Sequence, residues 1–270
     1  MGLRTKLYKF YRYKIYKVFP EKRGMTRLHD FLKSIALLEV ENYSGEPETI
    51  NEKQWHNLII LDACRHDIYE EVNGKTPKRV TVGSHSREFI EKTFSDGDFS
   101  DTIYISANPH FSEDEFKKFT GRDVEEVFFD VYHTYSTDWD DQNRTVMPED
   151  VARDAKTAQK LFPEKKKVIH FMQPHHPFIE FNYSEYEEDG SIWDIAQKGL
   201  LSRDKIWNAY RENLEYVMPH VRELAQELEG RTVVTADHGN LAGENGLYHH
   251  PYGAKSKGLR EVPWDVISEE

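Results

Sequence analysis

The run Leu58-Ile59-Ile60-Leu61, followed at once by Asp62, is the feature that most narrows the fold. Four apolar residues with no polar alternate leave no face for solvent. Such a segment suits a strand covered on both sides, as in a parallel sheet between helix layers. These sheets bind ligands at the carboxyl ends of their strands, which is where Asp62 would stand. The full stretch, "LIILDACRHD", puts Asp62, Cys64, Arg65, His66 and Asp67 at that end. The residues alone leave a plainer role open, in which Asp62 or Asp67 caps the following helix.

Strands and helices alternate from residue 57 onward, the pattern of βαβ units rather than of a sandwich. Strands are expected at 57–61, 79–82, 102–106, 126–132, 167–172 and 231–236, and helices at 66–73, 86–94, 111–118 and 149–161. Within "IWNAYRENLEYVMPHVRELAQEL", Tyr210, Leu214, Val217, Val221, Leu224 and Leu228 alternate spacings of four and three, a core-facing helical stripe. Pro219 should kink that helix or divide it. Residues 43–54 are polar and turn-forming and read as a linker. The chain is therefore expected to consist of a basic helical extension with linker at 1–50 and an α/β domain at 51–270.

A chain of 270 residues, 38% of them hydrophobic, can fill the core of one large α/β domain. No stretch approaches the roughly 18 apolar residues that span a bilayer, and no signal-peptide apolar region is evident, so a soluble cytoplasmic protein is expected. Cys64 is the single cysteine, which excludes an internal disulfide and a cysteine-based zinc framework. Any metal would have to rest on histidines and carboxylates.

The net charge of -12 conceals an asymmetry, because residues 1–27 carry about +8 and the remainder is near -20. In that basic segment Leu3, Leu7, Phe10, Tyr11, Ile15, Val18 and Phe19 recur at helical spacing. A basic amphipathic helix of this kind can lie on an anionic membrane surface, here the inner face, or pack its apolar side on its own domain. It carries no recognisable nucleic-acid-binding module, and no nucleic acid partner is expected.

Three further groups carry chemistry. In "RTVVTADHGN" a β-branched strand ends in Asp237 and His238, and Gly239 permits a tight turn or close approach. Carboxylate oxygen with imidazole nitrogen is a donor pair that zinc, manganese and related divalent ions accept. A second strand, "KKVIHFMQ", runs into "PHHPF", where His175 and His176 lie between prolines that restrict the backbone. In "GLYHHPYG", His249 and His250 occupy a loop after the Asp237 strand. Each group alone would pass for caps and surface histidines; together they argue for a site.

With these motifs in their order, "LIILDACRHD", "QPHHPF", "VVTADHG" and "GENGLYHHPYGAKSKGLREVPW", the chain resembles the alkaline phosphatase superfamily, in its sulfatase-like branch, over roughly residues 55–265. The resemblance implies an α/β fold with a mostly parallel sheet sandwiched between helices, and a metal-dependent hydrolase or transferase acting on phosphate or sulfate esters. It makes Asp62, Asp237 and His238 metal ligands. It also places a hydroxyl or modified-cysteine nucleophile at the start of the helix after the next strand. There "VTVGSHSREFIEKTF" offers Ser84 and Ser86, and Ser86, just before "REF", is the preferred one. His175 resembles the H-x-P histidine that contacts the substrate oxyanion or leaving group, and His250, before Pro251, resembles a late histidine that binds a second metal in some branches.

The departures from the family also matter. True sulfatases convert a Cys or Ser in a C/S-x-P-x-R setting to formylglycine, and neither Cys64 nor the Ser84 region supplies that pattern. An unmodified serine points instead to phosphomonoesters, phosphodiesters or phosphonates. The expected cofactor is one tightly bound divalent ion, zinc first, with manganese, calcium or magnesium as alternatives. Ser86 would attack phosphorus, and His175 or His250 would protonate the leaving group. The rival readings are a non-catalytic protein using the same fold to bind an anion, and a sulfate ester hydrolase.

Overall fold

The computed structural model describes residues 40–184 and 191–269, together with residues 3, 6, 7, 32 and 36–38. The helix expected across the basic segment 1–27 falls outside the described residues, apart from 3, 6 and 7.

Among the described residues the strands are β1 Asn57–Leu61, β2 Lys78–Val80, β3 Phe99–Ser106, β4 Phe128–Tyr132, β5 Trp139–Asp140, β6 Thr145–Val146, β7 Lys166–Phe171, β8 Thr232–Thr235, β9 Leu241–Ala242, β10 Tyr248–His249, β11 Glu261–Pro263 and β12 Asp265–Ser268. Six of them form the central sheet in the order β12-β8-β1-β7-β3-β4. All neighbours run parallel except β12, which is antiparallel on β8. The helices that flank this sheet are α1 His66–Asn73, α2 Ser86–Phe94, α3 Glu113–Thr120, α4 Pro148–Leu161, α5 Ile192–Gln197 and α6 Arg203–Glu227.

The apolar run of β1 shows why the sheet must be covered twice. Ile59 and Leu61 join one core with Ile103, Ile105, Ile169 and Phe171, against the stripe of α6 from Tyr210 to Leu224. Leu58 and Ile60 join a second core with Tyr104, Val168 and Val233 on the opposite face. Side chains alternate across a strand, so a run without polar alternates feeds both.

The second core is unusually aromatic. Phe94 of α2 lies 4.9 Å from Phe99, 5.1 Å from Phe128 and 5.8 Å from both Tyr104 and Phe111, ring centroid to ring centroid. Phe94→Ala would leave a void bounded by rings that cannot all shift inward. It is expected to cost about 3–5 kcal/mol, a large share of a domain's stability. Denaturant unfolding measures this; a loss under about 1 kcal/mol would mean that the cluster collapses freely, contrary to tight interior packing.

Several expectations need correction. The strand expected at 79–82 forms at Lys78–Val80 but does not enter the central sheet; it pairs antiparallel with β11, Arg79 opposite Val262. The helix expected at 111–118 is a 3-10 turn at Pro109–Phe111 followed by α3, whose break is Ser112, with its hydroxyl accepting from Glu115 N–H. Pro219 does not divide α6, which runs on through Glu227. In the segment 43–54 Ile50 is fully buried and Glu48 N–H donates to Val80 O, so this stretch packs along the domain rather than spanning open solvent.

Candidate active site

Parallel strands bring their carboxyl ends to one edge, and the site stands there. Asp62 directly follows β1, Asp237 lies just past β8, and Asn108 just past β3. Among the described residues, Asp62, Asp237 and His238 form a buried group whose candidate ligand atoms all lie within 4.8 Å of one another.

Each carboxylate spends one oxygen on the scaffold and leaves the other bare. Asp62 Oδ2 accepts from Asn108 Nδ2 at 2.6 Å, with His170 Nε2 at 3.5 Å. Asp237 Oδ1 accepts from Ala63 N–H at 3.1 Å and from His238 N–H at 2.9 Å. Asp62 Oδ1 and Asp237 Oδ2 are buried without any hydrogen-bond partner. Two unpartnered buried carboxylate oxygens side by side would be costly unless a cation balances them.

Three imidazoles are oriented by one device. His238 Nδ1 is 2.7 Å from Gly239 O, and His175 Nδ1 is 2.5 Å from His176 O. His250 Nδ1 is 2.7 Å from Asn240 Oδ1. A carbonyl oxygen only accepts, so the proton sits on Nδ1 and the Nε2 lone pair is left for the site. The rings adjoin: His238 to His250 4.7 Å, His250 to His175 5.2 Å and His250 to His85 4.9 Å between centroids.

Burial, reinforced by neighbouring imidazoles, holds His175 below its usual range and His250 well below it, and burial with His238 and His110 brings His85 down to about 4. These three are therefore neutral at pH 7. Burial works against the charge on Asp62, but His170, whose Nε2 faces Asp62 Oδ2 at 3.5 Å, outweighs it and keeps that carboxyl well below the carboxylate range.

The two serines are placed differently. Ser86 opens α2, with its Oγ 3.1 Å from His238 Nε2 and 3.5 Å from Asp62 Oδ2. Ser84 Oγ lies 2.7 Å from Glu88 Oε2 and 2.9 Å from Pro251 O, and it accepts from Ala254 N–H. Buried Glu88 also accepts from Arg260 Nη2 at 2.8 Å and Gly253 N–H at 3.1 Å, clamping the Ser84 turn to the loop after His250. That turn needs Gly83, where a Cβ would lie 2.7 Å from Phe89 N. Gly239 answers to the same rule, since a Cβ there would lie 2.2 Å from Gly258 O.

Arg65 is a brace. It donates to Asp67, Glu244 and Asn240 O, and Asn240 in turn holds His250. Cys64 is fully buried, and burial pushes its thiol well up. His249 lies 3.6 Å from Asp194 Oδ1, and His250 is not part of the three-residue ligand group. Sequence reasoning passed over Asn108, His170 and His85. His170 carried a signal, as a polar residue inside an apolar strand; its Nδ1 is 2.8 Å from the Tyr104 hydroxyl and its buried Nε2 faces Asp62 Oδ2 at 3.5 Å.

The donors Asp62 Oδ1, Asp237 Oδ2 and His238 Nε2, with Ser86 Oγ adjoining, fit a zinc-like divalent ion: two hard oxygens, one imidazole nitrogen, and no soft sulfur.

No protein-family model and no curated protein sequence matches the chain. Solved structures do. The chain is similar to the integral membrane protein lipooligosaccharide phosphoethanolamine transferase A from Neisseria meningitidis, with 14% identity and a TM-score of 0.53, over 90% of this chain and 54% of that one. It is also similar to the soluble domain of that transferase, with 14% identity and a TM-score of 0.54, over 84% of this chain and 80% of that domain. The chain thus spans about half the length of the full transferase. At such identity the likeness shows the fold, and it is the α/β fold that the motifs implied. No helix among the described residues is long and apolar enough to cross a membrane.

Proposed function

On a chain with the alkaline phosphatase superfamily fold and a buried Asp62–Asp237–His238 group, we propose a metal-dependent enzyme that cleaves or transfers phosphate-type esters with Ser86 as its nucleophile. The observation that carries this reading is the position of the Ser86 hydroxyl, 3.1 Å from His238 Nε2 and 3.5 Å from Asp62 Oδ2, against two residues of the buried ligand group. An oxygen nucleophile adjoining a cation site is what displacement at phosphorus requires.

Asp62 Oδ1, Asp237 Oδ2 and His238 Nε2 would hold the ion. When bound, it would supply Lewis acidity to the ester oxygens and favour the ionised serine hydroxyl. The rest falls to the chain itself. Asn108 fixes Asp62 by its outer oxygen, so the inner one keeps its aim. Ser86 sits at the amino end of α2, where the helix dipole favours an anionic ester. His175 and His250, neutral with free Nε2 atoms, suit proton transfer: one takes the serine proton as the Oγ–P bond forms and returns it to the leaving oxygen as the ester bond breaks. Water or an acceptor alcohol then attacks phosphorus, giving its proton to the imidazole, which passes it to Ser86 Oγ as the Oγ–P bond breaks.

The test is turnover of aryl phosphate monoesters, diesters, phosphonates and sulfates by the metal-loaded protein. Turnover of at least one phosphorus ester, abolished by chelation and restored by zinc, is expected. A fully metal-loaded protein that binds phosphate but turns over none of them would be an anion-binding protein; turnover of sulfates alone would overturn the phosphorus reading.

A further inference from the structure

The imidazoles around the Asp62–Asp237–His238 group do not all present the same atom. His175, His238 and His250 each give Nδ1–H to an oxygen acceptor and so keep a lone pair on Nε2. His85 is set the other way. Its Nδ1 accepts from Arg87 N–H at 3.1 Å, and a backbone N–H only donates, so the proton of the ring sits on Nε2. The same bond requires the ring to be neutral, because an imidazolium has no acceptor left. Among the described residues the His85 side chain makes no other hydrogen bond, which leaves its Nε2–H free for a ligand.

The ring of His85 belongs to this group by position. Its centroid is 4.9 Å from that of His250 and 6.1 Å from that of His238, and the residue directly precedes Ser86. An ester with its phosphorus at Ser86 carries non-bridging oxygens that only accept, and they gain charge as the Oγ–P bond forms. Three imidazole lone pairs would repel such oxygens. A cation answers part of that charge, and an N–H donor beside the nucleophile answers a further part.

The local chain supports a role beyond capping. His85 is the N-cap of α2, a position ordinarily filled by Ser, Thr, Asp or Asn, whose short side chains meet the same N–H. An imidazole caps with Nδ1 and still carries a second polar atom beyond it. Accepting from the helix end at Nδ1 also polarises the ring, so the positive end of the helix is carried forward to Nε2–H. A neutral imidazole holds its remaining proton tightly. His85 can thus donate a hydrogen bond without surrendering the proton, which leaves proton transfer to His175 and His250.

We propose that His85 is a further catalytic residue, whose Nε2–H donates to a non-bridging oxygen of the phosphoryl group held at Ser86. The proposal rests on the Ser86 reading for where that group sits. Two substitutions separate the donor from the cap. An asparagine amide reaches about as far as Nδ1 and a glutamine amide about as far as Nε2. His85→Asn therefore keeps the cap and loses the donor, whereas His85→Gln keeps the donor and loses the cap. The experiment uses the full chain, zinc-loaded, and reads inorganic phosphate binding by calorimetry, kcat on an aryl phosphate ester, and thermal unfolding. His85→Asn is expected to unfold with the parent, to bind phosphate about tenfold more weakly and to lose about a hundredfold in kcat. His85→Gln is expected to unfold at a lower temperature, yet to recover about tenfold of that kcat and most of the phosphate affinity. A capping role alone predicts the reverse order of the two variants, and that order would overturn the proposal. So would parent-like phosphate affinity and kcat in His85→Asn, or equal losses in both variants. Failure of the Ser86 reading looks different: Ser86→Ala would turn over ester like the parent while His85→Asn still weakened phosphate binding. If the parent turns over no ester, the phosphate affinities of the two variants decide the donor by themselves.

Discussion

Ser86→Ala is expected to lower ester turnover by about three orders of magnitude or more, with the fold retained. The size follows from the kind of group removed: when a nucleophile goes, only binding and electrostatic stabilisation remain. The Ser86 hydroxyl lies beside Asp62 and His238, and no backbone group depends on it among its hydrogen bonds, so deleting one oxygen should disturb little else. Ser84→Ala should behave in the opposite way. Its hydroxyl bonds Glu88 and receives Ala254 N–H, and losing it leaves buried polar groups short of a partner at a cost of about 1–3 kcal/mol. Turnover at saturating metal, read alongside thermal unfolding, separates the two. A Ser84→Ala protein that is inactive yet as stable as the parent would reverse the assignment; equal rates for Ser86→Ala and the parent would remove Ser86 from the mechanism.

The parts of this fold that were legible in the sequence are those governed by short-range rules. β1 at 57–61 and the helices at 66–73 and 86–94 coincide with their expected bounds, because uninterrupted apolar runs and helix-opening residues mark them locally. The edge strand β12 was not anticipated: "DVIS" is short, and only its antiparallel pairing with β8 makes it a strand. β2 was read as one more sheet member, although its partner β11 lies far along the chain, a long-range contact that periodicity does not encode. The site divides in the same way. Asp62, Asp237 and His238 stand at strand ends and announce themselves by type. Asn108 and His170 act through what the fold brings near them, and nothing in their immediate neighbours says that both will meet Asp62.

Asp237→Asn is expected to change metal affinity and stability in opposite senses, a combination that simple structural damage would not give. The amide is nearly isosteric with the carboxylate, and its Oδ1 can still accept from Ala63 N–H and His238 N–H, so the strand end should hold its shape. What disappears is the charge on Oδ2, which is buried without a partner and 3.4 Å from His238 Nε2. A zinc-like site with so few protein donors should then bind its ion at least about a thousandfold more weakly, roughly 4 kcal/mol. The metal-free protein should gain stability, because it no longer buries a second carboxylate beside Asp62. Thermal unfolding in chelator should therefore place the variant above the parent. In excess zinc the order should invert, since only the parent gains the ligand-linked stabilisation, about 4 kcal/mol when the free ion is a thousand times its dissociation constant. Full metal stoichiometry in Asp237→Asn together with His238→Ala would show that the ion, if any, is held elsewhere. Failure of the two unfolding curves to cross would mean that the bare oxygens are not a cation site.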